Sequence, residues 1–223
     1  MAINIAIDGP AGAGKSTIAK KVAKQLGFIY VDTGAMYRAI ALYMLRNAVD
    51  TEEEVEKHVK HANVEIAYQN GEQQVLLNKE NVSGLIRTEE VGKMASFVAK
   101  IGEVRKQLLD LQRNLAKKEN VIMDGRDIGT HVLPKADVKI YLTASASERA
   151  NRRYKELCEK GIECNLQEIE NAIIARDEQD MKREIAPLKQ AEDAVLVDSS
   201  DMTIDEVIST IITIVKKKTK ACE

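Results

Sequence analysis

A short stretch near the N-terminus, G-P-A-G-A-G-K-S-T at residues 9–17, has the residue types and the spacing for phosphate chemistry. Gly9 is followed by four residues and then by Gly14-Lys15-Ser16, which is the pattern of a phosphate-binding loop, or P-loop. Glycines let such a loop turn its backbone N–H groups inward around a phosphate chain, because no Cβ atom obstructs the turn. The stretch is therefore predicted to bind a nucleoside triphosphate through Gly9, Pro10, Ala11, Gly12, Ala13, Gly14, Lys15, Ser16 and Thr17.

The segments on either side of this loop fit a phosphate site. Residues 3–7 are mostly apolar, as in a buried strand, and apolar residues recur at helical spacing over residues 18–26. A helix that begins at the end of the loop leaves N–H groups unpaired in its first turn, and its dipole favours an anion there. We expect Lys15 to reach the terminal phosphates as a positive charge, and the Ser16 hydroxyl to ligate the Mg²⁺ that bridges them.

A second concentration of charge, D-G-R-D-I-G-T at residues 124–130, follows the apolar run at residues 121–123. In open parallel sheets, ligands bind beyond the carboxyl ends of the strands. We therefore expect this loop to face the P-loop. A solvated turn is the weaker alternative, because the loop directly follows a buried strand.

Three arginines, Arg149, Arg152 and Arg153, are spaced i, i+3 and i+4 in a predicted helix and share one face. Like charges on one face repel one another unless an anion or acidic side chains compensate them. The face fits a lid that closes on a transferring phosphoryl group. An exposed helix with internal salt bridges to Glu148 and Glu156 is the alternative.

The next predicted helix, from about residue 166, carries Arg176, Asp180 and Arg183 at i, i+4 and i+7. This spacing places the three side chains along one stripe. A ladder of ion pairs within the stripe would explain them without a ligand.

The rest of the chain predicts an α/β protein with a small inserted hairpin. Five strand-like runs are separated by helical patterns, at residues 3–8, 28–31, 121–123, 138–142 and 195–198. Two alternating runs flank Asn70-Gly71 between residues 62 and 84, and this dipeptide is a strong signal for a tight hairpin turn.

Polar residues before several helical patterns predict the helix N-termini. We expect Thr33 to cap the helix after the second strand. Capping boxes, with a glutamate three residues after a serine or threonine, open further helices at Thr51, Ser145 and Thr203.

Composition narrows the class of protein. The 223 residues include 44% hydrophobic and 30% charged residues, and the net charge of −2 argues against a generally basic nucleic-acid-binding protein. The first residues enter a predicted strand without a basic n-region, and no apolar run approaches membrane length, so we expect a soluble, cytoplasmic chain that binds neither membrane nor nucleic acid. Cys158, Cys164 and Cys222 form no C-x-x-C pair and are expected to be reduced. We expect a monomer.

Together these motifs resemble those of the bacterial cytidylate kinases, over nearly the whole chain. Besides the P-loop, the resemblance includes D-T-G-A-M-Y-R at residues 32–38, V-S-G-x-I-R at 82–87, D-G-R-D-I-G-T at 124–130, E-R-A-x-R-R at 148–153 and R-E-I-A-P-L at 183–188. It implies a kinase of pyrimidine nucleotide metabolism that transfers the γ-phosphoryl group of ATP, with Mg²⁺, to CMP or dCMP.

The resemblance also implies the architecture. We expect the α/β P-loop NTPase fold, with a five-stranded parallel sheet flanked by helices. Residues 1–223 would form a single kinase domain with its core at 1–61 and 85–223. A small β-hairpin insertion on the nucleoside monophosphate side would span about residues 62–84, and a helical lid about residues 145–165.

Carried over by position, the resemblance implies which residues bind CMP. Arg38 would lie on its phosphate, joined there by Arg105 and Arg126. Asp127 and Arg183 would read the cytosine edge, since a carboxylate and a guanidinium complement its N4 amino donor and its N3 and O2 acceptors better than they complement uracil. The implied CMP-binding residues are Thr33, Arg38, Ser96, Arg105, Arg126, Asp127, Arg176, Asp180 and Arg183, with Asp180 and Arg176 on the ribose.

The residues expected to act in catalysis carry positive charge. Phosphoryl transfer needs in-line positioning and compensation of the charge that spreads over the phosphoryl oxygens. The resemblance and this requirement together select Lys15, Arg126, Arg149, Arg152 and Arg153.

Three other functions fit part of the sequence. Another small-substrate P-loop kinase, for UMP or shikimate, would share the loop but needs a different acceptor pocket. A GTPase would need an N-K-x-D motif; Asn78-Lys79 is followed by Glu80-Asn81, so we reject it. A non-catalytic scaffold that binds nucleotide or RNA would have no need of Lys15, Ser16 and so many arginines.

Overall fold

The computed structural model of the chain describes residues 2–219. Cys158 and Cys164 carry free thiols. Cys222, the third cysteine that we expect to be reduced, lies outside the described residues. Over residues 2–219, no helix has the length and apolar character needed to cross a membrane.

The described strands form two sheets. The strands are β1 (Asn4–Asp8), β2 (Ile29–Asp32), β3 (Val64–Gln69), β4 (Glu72–Leu77), β5 (Glu80–Asn81), β6 (Val121–Gly125), β7 (Val138–Thr143) and β8 (Val195–Asp198). The five-stranded sheet has the order β2–β6–β1–β7–β8, and the three-stranded sheet has the order β3–β4–β5. The predicted α/β fold with a five-stranded parallel sheet is thereby confirmed.

The described helices are α1 (Lys15–Leu26), α2 (Thr33–Arg46), α3 (Glu52–His58), α4 (Glu89–Val98), α5 (Gly102–Lys118), α6 (Ala146–Glu159), α7 (Leu166–Lys182) and α8 (Ile204–Thr219). Helices α1 to α7 lie between strands along the chain, and α8 follows the last strand. A 3₁₀ turn, Val59–His61, follows α3. The chain divides into two compact units. We call Ile3–Gly27 with residues 122–219 the P-loop unit, and Phe28–Val121 with Ala2 the hairpin unit.

The core of the P-loop unit is built on strands β1, β6 and β7, most of whose residues are buried. Ile5 pairs with Val138 and Ile7 with Ile140 across β1 and β7, and all four side chains are buried. Parallel strands covered on both faces carry such apolar runs. Helix α8 adds its own buried stripe through Val207, Ile208, Ile211 and Val215. This core holds the carboxyl ends of β1, β6 and β7 in fixed positions.

The hairpin unit contains the predicted hairpin and turn. Strands β3 and β4 pair antiparallel from Val64–Leu77 to Gln69–Glu72. Asn70 and Gly71 both have positive φ, 53° and 77°, as a tight two-residue hairpin turn requires. Strands β3–β5 fall within residues 62–84, and the outer bounds of the domain, the insertion and the lid stay predictions.

The helix caps agree with the sequence at three positions and disagree at one. The side chains of Thr51, Ser145 and Thr203 each accept the backbone N–H of the glutamate three residues later. The prediction that Thr33 caps α2 is wrong, because Thr33 is already the first helical residue. Asp32 is the cap: its backbone is extended, and its Oδ1 accepts the N–H of Ala35 at 2.9 Å.

Candidate functional site

The P-loop leaves β1 through a glycine that no other residue can replace without a clash. Gly9 has φ 149°, and a Cβ atom there would lie 1.9 Å from the carbonyl oxygen of Leu142. Gly12 and Gly14 also have positive φ, 74° and 80°. Gly14 precedes α1, and within the described residues no side chain caps this helix end. The N–H groups of its first turn therefore remain available to an anion.

Lys15 lies folded along the loop. Its Nζ donates to the carbonyl oxygen of Pro10 at 2.7 Å, and the side chain is buried. Burial, followed by the positive charge of Arg126, holds the pKa of Lys15 well below its usual value, although Asp124 and Asp8 act in the opposite direction. Phosphate oxygens placed beside Nζ would favour its charged form. Bound phosphate would therefore raise the pKa of Lys15 and stabilise its positive charge.

Ser16 and Asp124 meet at the start of α1, so the first residue of the 124–130 segment, at the end of β6, contacts the P-loop. The Ser16 hydroxyl donates to Asp124 Oδ2 at 2.8 Å, and Asp124 is buried. Hydroxyl and carboxylate oxygens are the hard donors that Mg²⁺ prefers, so these side chains fit the predicted ion. Over residues 2–219, no cluster of three or more His, Cys, Asp or Glu side chains is placed to hold a metal. A Mg²⁺ ion here would take its remaining ligands from phosphate and water.

Asp8, at the end of β1, positions the start of the segment after β6. Its two carboxylate oxygens accept the N–H groups of Ile128 and Gly129, both at 2.7 Å. These residues begin a π-helical turn, Ile128–Val132, that the sequence pattern does not predict. Burial raises the pKa of Asp8 to about 6, and Asp127 adds to this, while the two N–H donors and Lys15 oppose it.

We expect the stability of the protein to show the titration of Asp8. Its pKa of about 6 exceeds the ordinary value of 3.8, so the folded chain binds this proton more tightly than the unfolded chain does. The stability contributed by Asp8 therefore rises as the pH falls from about 6 towards 4, by about 3 kcal/mol. Relative to Asp8→Asn, the wild type should gain this free energy of unfolding between about pH 7 and about pH 4, measured by urea unfolding.

A suitable control for this prediction is Asp137→Asn. Asp137 also accepts a backbone N–H, that of Asn4, but at an exposed position. A wild-type advantage over Asp8→Asn that stays constant with pH would contradict the prediction.

Five predicted substrate-binding residues lie together in the P-loop unit, and four of them form two ion pairs. Arg183 Nη2 donates to Asp127 Oδ1 at 3.0 Å, and both side chains are almost fully buried. Arg126 Nε donates to Asp180 Oδ2 at 2.8 Å. Arg176 Nε is buried and, within the described residues, has no hydrogen-bond partner. Burial, and then Arg126, lower the pKa of Arg176.

The three arginines at the start of α6 have different surroundings. Arg149 is buried and donates to the carbonyl oxygens of Ala11 and Ala144. Arg152 is half-buried and donates to the carbonyl oxygen of Ser199 at 2.6 Å. Arg153 is exposed and pairs with Glu156 at 2.9 Å. In this structure each guanidinium is held by other groups of the chain.

The other four predicted CMP-binding residues lie in the hairpin unit. Arg38 Nη1 donates to the carbonyl oxygen of Ile86, and a Cβ atom on Gly92 would lie 3.3 Å from that nitrogen. Ser96 Oγ donates to the carbonyl oxygen of Gly92 at 3.2 Å. Because Gly92 has no side chain, the Arg38 guanidinium can lie against the turn of α4 whose carbonyl oxygen accepts from Ser96.

Arg105 and Thr33 are both buried within the hairpin unit. The Arg105 guanidinium stacks over the Tyr37 ring at 5.8 Å and donates to the carbonyl oxygen of Ala99. Thr33 opens α2, the helix that also carries Tyr37 and Arg38. Thr33, Tyr37 and Arg38 therefore lie close together at the start of α2, and Arg105 packs on Tyr37.

The start of α2 is held by contacts that sequence reasoning missed. The Gln73 side chain on β4 accepts the Asp32 N–H at 2.8 Å and donates to the Asp32 carbonyl oxygen at 3.2 Å. Arg87 Nη2 lies 2.6 Å from Asp32 Oδ2. The partners are 41 and 55 residues from Asp32 along the chain, so no local pattern indicates them.

Comparison with known proteins gives a consistent result. The sequence matches the family model described as cytidylate kinase over residues 5–217. A cytidylate kinase of Thermosipho melanesiensis is 49% identical over 220 residues, which cover 99% of this chain and 100% of that protein. A cytidylate kinase of Alkaliphilus metalliredigens is 52% identical over 215 residues, 96% of each chain.

A solved structure with the same fold is more distant in sequence. The shikimate kinase from Acinetobacter baumannii, solved in complex with shikimate, has a TM-score of 0.50 and 13% identity, and the match covers 98% of this chain and 96% of that one. At this identity the similarity concerns the fold alone.

Proposed function

The chain belongs to the cytidylate kinase family, and from this premise we propose that it transfers the γ-phosphoryl group of ATP to CMP or dCMP. The products are CDP or dCDP and ADP. The observation that carries this conclusion is the family match over residues 5–217. The reaction is a step of pyrimidine nucleotide metabolism, and we expect it in the cytoplasm, catalysed by a monomer.

We propose that the P-loop and the start of α1 bind the phosphates of ATP. The uncapped N–H groups at the start of α1 and the charge of Lys15 support this assignment. Ser16 would hold Mg²⁺ together with the ATP phosphates, and the ion would compensate phosphate charge there. Because the Ser16 hydroxyl donates its proton to Asp124, its oxygen lone pairs remain free for a cation.

We propose that CMP is bound by side chains with separate roles. Arg38, Arg105 and Arg126 bind its phosphate, and Thr33 supports them. Asp127, Arg183 and Ser96 recognise cytosine, and Asp180 with Arg176 binds the ribose. The buried Asp127–Arg183 pair supports the recognition role, since buried polar groups reject a base that leaves them unpaired.

The transfer step requires charge compensation more than proton transfer. The acceptor is already a phosphate oxygen, so no separate general base is needed. We propose that Arg152 and Arg153 contact the transferring phosphoryl group with Lys15 and Arg126. The present ion pairs of Arg152 with Glu148 at 3.3 Å and of Arg153 with Glu156 at 2.9 Å support this, because exposed or half-exposed ion pairs are weak and can exchange for phosphate. Arg149 is buried and takes part through its contact with the P-loop, where it donates to the Ala11 carbonyl oxygen.

The hydrogen bonds between the Gln73 side chain and the residue before α2 lead to a prediction for CMP binding. Gln73→Ala removes two hydrogen bonds to the Asp32 backbone, directly before Thr33. We expect the KM for CMP to rise about tenfold, equivalent to about 1.4 kcal/mol, with the KM for ATP unchanged. Gln74→Ala is the matched control, because the Gln74 amide bonds the exposed Asn81 side chain. Equal KM values for CMP in the two variants would contradict the prediction.

The proposed function is tested by ADP release from ATP and Mg²⁺ with CMP, dCMP, UMP, AMP, GMP and shikimate supplied singly. We expect strong turnover with CMP and dCMP and little with UMP. Turnover with UMP or shikimate instead would keep the kinase activity and overturn the acceptor. ATP binding without acceptor-dependent turnover would leave only a nucleotide-binding protein.

A further inference from the structure

One buried ion pair holds both backbone groups of Ala11 in the P-loop. The Ala11 N–H donates to Asp177 Oδ1 at 3.3 Å, and its carbonyl oxygen accepts from Arg149 Nη1 at 2.8 Å. Arg149 Nη1 lies 2.6 Å from Asp177 Oδ2. The exposed fractions of Arg149 and Asp177 are 5% and 8%, so these bonds act in a medium of low dielectric constant.

The loop needs such external support because of its own composition. Ala11 lies between Gly9 and Gly12, which have φ of 149° and 74°. Glycine reaches such angles at little steric cost but loses more conformational freedom on ordering than any other residue. The shape of the loop therefore depends on side chains that hold its peptide groups, and the ion pair between α6 and α7 makes two such contacts.

These contacts determine the direction of neighbouring N–H groups. A peptide unit is planar and trans, so its carbonyl and N–H point in opposite directions. Arg149 holds the Ala11 carbonyl and thereby directs the Gly12 N–H away from itself. The preceding peptide is held from both ends, at the Pro10 carbonyl by Lys15 and at the Ala11 N–H by Asp177.

We propose that Asp177 is a positioning residue for ATP, which acts through Arg149 to orient the P-loop peptides. This inference rests on the proposed function of the P-loop as the ATP phosphate site. Donors that are oriented before the ligand arrives need no reorganisation on binding, so their loss weakens ATP binding and transfer. CMP recognition depends on other side chains and should change little.

Asp177→Asn tests the proposal. The variant keeps the side-chain shape and an acceptor for the Ala11 N–H but removes the charge that holds Arg149. We expect the dissociation constant and the KM for ATP to rise about tenfold, with the KM for CMP changed less than about twofold. The matched control is Glu178→Gln, since Glu178 is the next residue, is exposed and pairs with Lys182. It should leave all three constants unchanged.

A double variant, Asp177→Leu with Arg149→Met, serves if Asp177→Asn folds poorly, because it leaves no buried charge without a partner. It should show the same weakening of ATP binding. Assays are run well below each melting temperature, so that a purely structural role would lower the melting temperature and leave ATP binding unchanged. ATP affinity equal to wild type in a folded variant would overturn the proposal. The dissociation constant for ATP tests the role of Asp177 without requiring turnover. The proposed reaction is tested separately, by CMP-dependent ADP release from the wild type, and the absence of that release would contradict the reaction alone.

Discussion

Lys15→Ala is expected to lower kcat by about 10³-fold or more while the protein stays folded. Lys15 is a buried lysine of the P-loop, and bound phosphate would stabilise its charged form. Alanine cannot compensate the charge that spreads over the phosphoryl oxygens, so the loss falls on the transfer step. The measurement is kcat for CMP-dependent ADP release, with circular dichroism as the check on folding.

Lys24→Ala is the control for this loss. Lys24 is an exposed lysine on the same helix, so its removal costs one positive charge and one lysine of α1 without touching the loop. The variant should keep wild-type kcat. Retention of more than about a tenth of the wild-type kcat in Lys15→Ala would refute the catalytic role of Lys15.

Asp127→Ala is expected to remove the preference for CMP over UMP. Asp127 is buried and accepts from Arg183, and we propose that this pair recognises cytosine. Without the carboxylate, the N4 amino group of cytosine loses its acceptor, and the penalty for binding uracil falls with it. The ratio of kcat/KM for CMP to that for UMP should drop by about 10²-fold or more, within the limit of about 10⁴-fold for polar recognition. The KM for ATP should change little.

This variant also breaks a buried ion pair, which destabilises a protein by about 3–5 kcal/mol. Asp127→Asn, which keeps the shape and one acceptor oxygen, is therefore measured beside it. The readout is a ratio of two substrates on the same enzyme, so a smaller folded fraction cancels. An unchanged CMP-to-UMP ratio in both variants would show that Asp127 does not read the base.

Features that depend on neighbouring residues could be predicted from the sequence. The P-loop glycines, the Asn70-Gly71 turn and the threonine and serine caps lie where the pattern places them. Each is determined by steric or hydrogen-bonding preferences that act over three or four residues. The strands of the parallel sheet could also be predicted, because buried parallel strands require continuous apolar runs.

Features that depend on distant residues could not be predicted in this way. Asp32 rather than Thr33 caps α2, and Asp32 is itself held by Gln73 and Arg87. Asp8 anchors the turn that begins at Ile128, 120 residues later. A hydrogen-bonding side chain has several possible partners, and which bond forms depends on the segments that the fold brings close to it.

The arginines of α6 illustrate this division. Their spacing determined that Arg149, Arg152 and Arg153 lie near one another on the helix, because helical periodicity is a local property. Only the tertiary structure decided that Arg149 is buried against Ala11 and Asp177 while Arg153 faces solvent. The sequence by itself thus determined the phosphate-binding loop, the sheet and the family. The packing of distant segments determined which charged side chains hold the loop, because burial makes a few ion pairs strong and leaves the exposed ones weak.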